Sequence, residues 1–186
     1  EVLISLVSSQ PLPGLKQLAQ QWLERWEQVK GVTLNLQPRR TNQILGPTTK
    51  VLAGDPVIRE QFCGLALELS TTTFFQINTP QAEAIVACIV SWFNQAKPQG
   101  PIVDAYCGIG TISLPLAAQG HRVVGLEINP DSIEQAGRNA DTNGLGPLTQ
   151  FKAGDVADLL KDSLPGSSAL VVDPPRRGLE SVSYTH

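Results

Sequence analysis

Methionine is absent from all 186 residues. A primary translation product starts with methionine, so this sequence, which runs from Glu1 to His186, is expected to be an excerpt or a processed piece. Cysteine is scarce. Cys63, Cys88 and Cys107 form no Cys-x-x-Cys pair, and the two histidines, His121 and His186, stand alone. This argues against a disulfide framework and against a metal site, and it predicts a reduced, cytoplasmic setting. No apolar run approaches the ~20 residues needed to span a bilayer, and no signal peptide is visible, so no membrane partner is expected. A surplus of positive charge is lacking too. The formal charge is −3; residues 1–70 sum to +1 and residues 71–186 to −4. An acidic domain does not attract a polyanion through net charge, so any nucleic-acid role must rest on local patches.

What is present is ordinary globular composition, 41% hydrophobic and 17% charged, in a length that fits one domain or two small ones. Val2 to Val7 reads as a strand. Leu15, Leu18, Ala19, Trp22, Leu23, Trp26 and Val29 form a helical stripe ending near Gly31. Val32, Leu34 and Leu36 alternate as a strand, as do Leu65, Leu67 and Leu69. The stretch between them is rich in Gly, Pro and Thr. Residues 1–72 are therefore expected to form a small, partial α+β domain.

A different pattern begins near residue 73. Thr79-Pro80 offers an N-cap and a first-turn proline, and Ala82, Ile85, Val86, Ile89 and Phe93 give an apolar helical face. Ile102–Ala105 reads as a buried strand, followed by a glycine loop and a helix over about 111–119. Arg122–Glu127 is a second strand. Asn129-Pro130 caps a helix running to about Asn143, with Gly144 as its stop. Phe151–Ala153 and Ala169–Val172 are further strands. Strands alternating with helices predict a doubly wound parallel sheet in residues 73–186.

In such sheets ligands bind beyond the carboxyl ends of the strands. The first strand leads into Asp104-Ala105-Tyr106-Cys107-Gly108-Ile109-Gly110-Thr111. Gly108 and Gly110 permit a tight turn and close approach of a ligand to the backbone. Ser113 stands where the dinucleotide fingerprint wants its third glycine, so the fit to G-x-G-x-x-G is imperfect. Glu127 ends the second strand, where a carboxylate can accept hydrogen bonds from ribose hydroxyls. These features point to an adenosine-containing ligand. Asp104, directly before the loop, disfavours a pyrophosphate and suits a cation such as the charged end of S-adenosylmethionine. Asp155 follows the third strand and Asp173 ends the fourth. The stiff loop Asp173-Pro174-Pro175-Arg176-Arg177-Gly178 carries two arginines able to pair with phosphate.

Together, Phe74-Phe75-Gln76-Ile77-Asn78, the Asp104 to Gly110 loop, Val124-Gly125-Leu126-Glu127 and Asp173-Pro174-Pro175-Arg176-Arg177-Gly178 resemble the RNA 5-methyluridine (uracil-5-) methyltransferases. The resemblance runs from about residue 42 to 180. It implies a class I, Rossmann-like methyltransferase sheet, C-terminally truncated and preceded by the small α+β domain. It implies S-adenosyl-L-methionine as cofactor and RNA, tRNA or ribosomal, as partner. By resemblance, Gln76 contacts the cofactor from the segment leading into the domain, and Tyr106 and Thr111 line its pocket. Gly108 and Gly110 admit it, Glu127 holds the ribose, Asp155 faces the adenine, and Asp173 lies beside the cofactor near the reacting base. Family chemistry also requires a cysteine thiolate to attack carbon 6 of the uracil ring, and a carboxylate base to remove the carbon-5 proton. Both belong to motifs downstream of Asp-Pro-Pro-Arg that this sequence does not contain, so no catalytic residue is assigned within it. Cys107 matches the glycine-loop cysteine, not the nucleophile, and Cys63 and Cys88 are expected in the core. Three other readings remain open at this level: an RNA cytosine-5 enzyme, a non-catalytic RNA-binding module, and a nicotinamide dehydrogenase.

Overall fold

The computed structural model describes residues 1–41 and 44–174. Arg176, Arg177 and the rest of the tail lie outside the described residues. The chain divides into two compact units. One comprises Glu1–Glu60 with Glu68–Thr73, the other Gln61–Leu67 with the chain from Phe74 onward. The single boundary expected at residue 72 does not include the exchange of 61–67.

In the first unit β1 (Val2–Ser8), β2 (Val29–Leu36) and β3 (Thr48–Gly54) form a sheet in the order β1-β2-β3. β1 and β2 are parallel, joined through α1 (Leu15–Arg25); β2 and β3 are antiparallel. Ala19, Val29 and Val32 are the buried centre, packed by Trp22, Leu23, Leu52 and Ala53. The helical stripe read from the sequence continues to Val29, yet α1 stops at Arg25 and Trp26 is extended. Val29 pairs with Val2 in the sheet instead, and backbone ladder bonds outweigh another half-turn of helix. β3 is a strand that the Gly/Pro/Thr-rich composition concealed. Its pairing with the start of β2 depends on two glycines that face each other: a Cβ on Gly31 would lie 1.7 Å from the Asp55 carbonyl oxygen, and one on Gly54 2.2 Å from that of Lys30.

β4 (Val57–Phe62) and β5 (Leu65–Ser70) form a two-stranded sheet; β4 was likewise unforeseen. Its two-residue turn, Cys63-Gly64, has positive φ at both positions, 50° and 76°, as a type I′ hairpin turn requires.

The second unit contains a four-stranded, all-parallel sheet in the order β8-β7-β6-β9. Its strands are β6 (Ile102–Ala105), β7 (Val123–Glu127), β8 (Thr149–Ala153) and β9 (Ala169–Val172). The helices are α2 (Thr79–Ala96), α3 (Ser113–Ala118), α4 (Pro130–Thr142) and α5 (Val156–Ser163). β6 illustrates the logic. All four residues are buried, and successive side chains point to opposite faces. Ile102 joins Phe93, Leu116, Ala117 and Val123 on the face covered by α2 and α3. Val103 and Ala105 join Leu126, Val156 and Leu160 on the face covered by α5. Asp104 therefore shares the α3 face with Ile102.

Three local expectations need correction. The N-cap of α2 is Asn78, whose side chain accepts from the Gln81 N–H, while Thr79 is the first helical residue. Ile85, expected on the packed face of α2, is 62% exposed, because Val86, Ile89 and Phe93 already fill that face. Cys88 is exposed on the same helix and Cys63 only half-buried; of the three thiols only Cys107 is in the core. Among the described residues no helix is long and apolar enough to cross a membrane.

Candidate functional site

The strand order creates the site. From β6 the chain steps outward to β7 and β8, then returns across β6 to β9. The carboxyl ends of β6 and β9 thus flank the point where the order reverses, the place where open α/β sheets bind their ligands. Tyr106, Glu127, Asp155 and Asp173 all follow or end strands on this edge.

The loop after β6 is built by its own backbone. Tyr106 takes φ 67°, a left-handed value rare for a non-glycine residue. This lets the N–H groups of Tyr106 and Cys107 both donate to the Leu126 carbonyl, at 2.8 and 3.0 Å. The Gly110 N–H then donates to the Cys107 carbonyl at 2.9 Å, closing a tight turn. Gly108 and Gly110 have φ 55° and 92°. A Cβ on Gly110 would meet Leu114 Cγ at 2.9 Å, whereas one on Gly108 would meet nothing within 4 Å. Gly110 is needed for packing; Gly108 leaves open space beside the backbone. Beneath the loop, a Cβ on Gly125 would lie 2.6 Å from the Phe151 ring and 2.8 Å from Cys107 Sγ, so that glycine lets the loop settle onto the sheet.

Glu127 ties the second strand to this loop. Its Oε2 accepts from the Gly108 N–H at 3.2 Å and its Oε1 from the Asn129 N–H at 2.9 Å. Each carboxylate oxygen has two lone pairs, so capacity remains for hydroxyls outside the protein. Asp155 follows Gly154, whose N–H donates to the Glu127 carbonyl at 3.0 Å. Asp155 also caps α5, its Oδ1 accepting from Ala157 and Asp158 N–H groups. Asp173 is exposed, and its N–H donates to the Ala105 carbonyl at 3.3 Å. Thr111 is half-buried in the glycine loop. The structure therefore links Tyr106, Gly108, Gly110, Glu127, Asp155 and Asp173 through the strand ends. Gln76 stands apart: it is exposed in the segment before α2, its carbonyl accepting from Thr79 Oγ1 at 3.5 Å.

The most constrained group is Asp104. Its side chain is fully buried. Oδ2 accepts from the Ser113 hydroxyl at 2.6 Å, and Oδ1 has no hydrogen-bond partner. Burial pushes its carboxyl up to about 7; the charges of Asp173 and Glu127 push the same way, and the Ser113 bonds oppose them. Burial, then Asp104 and Glu127, also push the Cys107 thiol well above its ordinary value. A buried thiol that resists ionisation is a poor nucleophile.

Ser113 is a residue of this loop region whose place the sequence alone does not reveal. It was counted against a glycine fingerprint, whereas here its hydroxyl is the partner of Asp104. Asn139 was not singled out at all. Fully buried on α4, its side-chain amide donates to the Ile109 carbonyl of the glycine loop at 3.4 Å. Asn129 was read only as a helix cap, yet its N–H also holds Glu127.

Residues 96–172 match the methyltransferase-domain family. The chain is 80% identical over 181 residues to a protein of Parasynechococcus marenigrum named an uncharacterized RNA methyltransferase, covering 97% of this chain and 39% of that protein. A protein of the same description from Nostoc is 42% identical over 183 residues, covering 98% of this chain and again 39% of the relative. The chain thus spans about two fifths of the length of the curated relatives it matches. Among solved structures, the tRNA (uracil-54, C5)-methyltransferase of Pyrococcus abyssi in complex with S-adenosyl-L-homocysteine superposes with a TM-score of 0.74 at 25% identity. That likeness covers 98% of this chain and 42% of the other. A S-adenosylmethionine-dependent methyltransferase from Agrobacterium tumefaciens is similar in fold, with a TM-score of 0.58 at 16% identity over 82% of this chain and 49% of that one. The parallel sheet, its order and its loops are those of the Rossmann-like class I methyltransferase fold.

Proposed function

We propose that this chain is the cofactor-binding part of an S-adenosylmethionine-dependent enzyme that methylates carbon 5 of uridine in RNA. The observation that carries the cofactor reading is Asp104. A buried acid directly before the glycine loop, at the reversal of strand order, disfavours a pyrophosphate against that loop and suits a cationic ligand. The residues fit the group. Gly108 leaves backbone open to a ligand, Glu127 keeps acceptor capacity for ribose hydroxyls, and Asp155 stands at the next strand end for the adenine amino group. Tyr106 and Thr111 form walls and Asp173 lies nearest the reacting base; Gln76, apart from these in the structure, is assigned to the cofactor by the resemblance alone. The bound cofactor supplies an electrophilic methyl group; the protein's task is to hold it and exclude competing geometries.

The uridine reading is supported by the four motifs together and by the likeness to the Pyrococcus abyssi enzyme across nearly the whole chain. The thiolate attack such chemistry needs does not suit Cys107, which is buried and hard to ionise. We assign the attacking cysteine and the base to protein outside these residues, and expect this chain alone to bind cofactor without methylating RNA. The substrate is a uridine in tRNA or ribosomal RNA, flipped from its stack to be reached.

The test is methyl transfer by the complete protein to unmodified tRNA and ribosomal RNA, followed by digestion and mass spectrometry of the nucleosides. 5-Methyluridine is the expected product, and the RNA that carries it names the substrate. A methyl group on cytidine, or on any other position, overturns the reading.

A further inference from the structure

Charge is segregated along the strands of the first unit. β1 and β2 run in one direction and β3 in the other, so one end of the sheet is made by the end of β1, the end of β2 and the start of β3. α1 starts at that end too, because it returns the chain from the end of β1 to the start of β2. Lys16 lies in the first turn of α1, Arg39 and Arg40 in the connection after β2, and Lys50 near the start of β3, opposite Leu34. All four are exposed, and none is in an ion pair among the described residues. The segments that build this end, 8–23 and 28–54, contain no aspartate or glutamate. The acids Glu1, Glu24, Glu27 and Asp55 lie at the opposite end, with Arg25 and Lys30. Helix stability does not explain Lys16, since a cation in the first turn opposes the helix dipole.

The connection that carries the two arginines is fixed at its base. Asn35 is fully buried; its side chain accepts from the Gly46 N–H at 2.6 Å and donates to the Gly46 carbonyl at 3.0 Å and to Thr49 Oγ1 at 2.8 Å. The Gln37 side chain donates to the Leu45 carbonyl at 3.1 Å and accepts from the Arg39 N–H at 3.2 Å. The Gln37 N–H donates to the Ser8 carbonyl at 2.9 Å, which holds this base beside the end of β1. Backbone held in advance lowers the ordering cost when its side chains bind. Resting on the RNA substrate proposed above, we propose that this end of the first unit docks the phosphate backbone of the RNA through Lys16, Arg39, Arg40 and Lys50. Charge complementarity selects the occupant: the second unit carries a net charge of −4 and does not attract a polyanion, whereas four neighbouring cations without an acid do. Contacts to phosphate carry no base information, so these residues supply affinity and register, not the choice of uridine.

The experiment is fluorescence anisotropy of the complete protein with labelled, unmodified tRNA and ribosomal RNA transcripts, between about 50 and 200 mM salt. Arg39→Gln, Arg40→Gln and Lys50→Gln should each weaken binding about two- to fivefold. The triple variant should lower the slope of log affinity against log salt by about two to three. Its affinity for S-adenosylmethionine and its circular dichroism should match the parent, which separates lost docking from a damaged fold. Arg25→Gln, at the opposite end of the unit, should leave RNA affinity and slope unchanged. A triple variant with the parent's salt slope, or an equal loss in Arg25→Gln, overturns the docking surface and leaves the RNA reading standing. A parent protein that neither binds nor methylates either transcript sinks both.

Discussion

Glu127 and Gly108 are joined by a hydrogen bond of 3.2 Å from the loop amide to the carboxylate, so the acid expected to hold the ribose also holds the loop that admits the cofactor. Glu127→Ala removes both functions at once. It should weaken S-adenosylmethionine binding by about ten- to a hundredfold, the range of one charge-assisted hydrogen bond at about 1.5–3 kcal/mol. Calorimetry checks this, with circular dichroism to confirm that the sheet persists. Unchanged affinity in Glu127→Ala would remove Glu127 from the site.

Asp104 makes stability depend on pH in an unusual direction. In the unfolded chain its carboxyl ionises near 3.8; in the folded protein it does so only near 7. Between these values the folded state holds the extra proton, so stability contributed by Asp104 is present below pH 3.8 and is lost as pH rises to 7. At about 1.4 kcal/mol per unit this amounts to about 4 kcal/mol at most. Thermal unfolding without ligand should show Asp104→Asn gaining on the parent protein from pH 5 to 8. Parallel pH profiles for the two proteins would contradict the burial argument.

The two loop glycines should fail differently. Gly110→Ala drives a methyl group to 2.9 Å from Leu114 at φ 92° and should destabilise the fold by roughly 2–4 kcal/mol. Gly108→Ala meets nothing within 4 Å and should cost only about 1 kcal/mol for its left-handed backbone, while obstructing the ligand's approach. Denaturant unfolding separates the first variant from the parent, and cofactor titration the second. Equal stability loss in both variants would count against this division of roles.

Thiol chemistry should follow burial. Cys88 is exposed and should react with a maleimide in the native state, whereas Cys107 should react only after unfolding. Peptide mapping by mass spectrometry distinguishes them. Rapid native labelling of Cys107 would reopen it as a nucleophile.

Legibility differed by element for physical reasons. The parallel sheet was visible because β6, β7 and β9 are short apolar runs spaced by helices, and because Asn129-Pro130 caps a helix in a recognisable way. β3 was not visible, since Thr48-Thr49-Lys50 is polar on a sheet edge and strandedness there comes from pairing with β2. The inner face of α4 was equally hidden. It carries Ser132, Gln135, Ala136, Asn139 and Ala140 at helical spacing, a buried stripe that hydrophobic periodicity cannot register. Its polar groups are paired by other means: Gln135 accepts from Arg138 at 2.8 Å, and Asn139 reaches the glycine loop. Ser113 belongs to the same class, a polar residue whose meaning depends on a partner nine residues away in sequence.

The amino-acid sequence alone determined the alternation of strands and helices, the glycine turn after β6 and the acid at each strand end. Those are short-range properties, set by side-chain shape, backbone freedom and periodicity. Only the tertiary structure decided that β9 returns beside β6, that Asp173 stands next to Ala105, and that Asp104 is sealed against Ser113 with one oxygen unbonded. Strand order and burial arise from pairing between distant segments, and the chemistry of a carboxyl group depends on what those segments place around it.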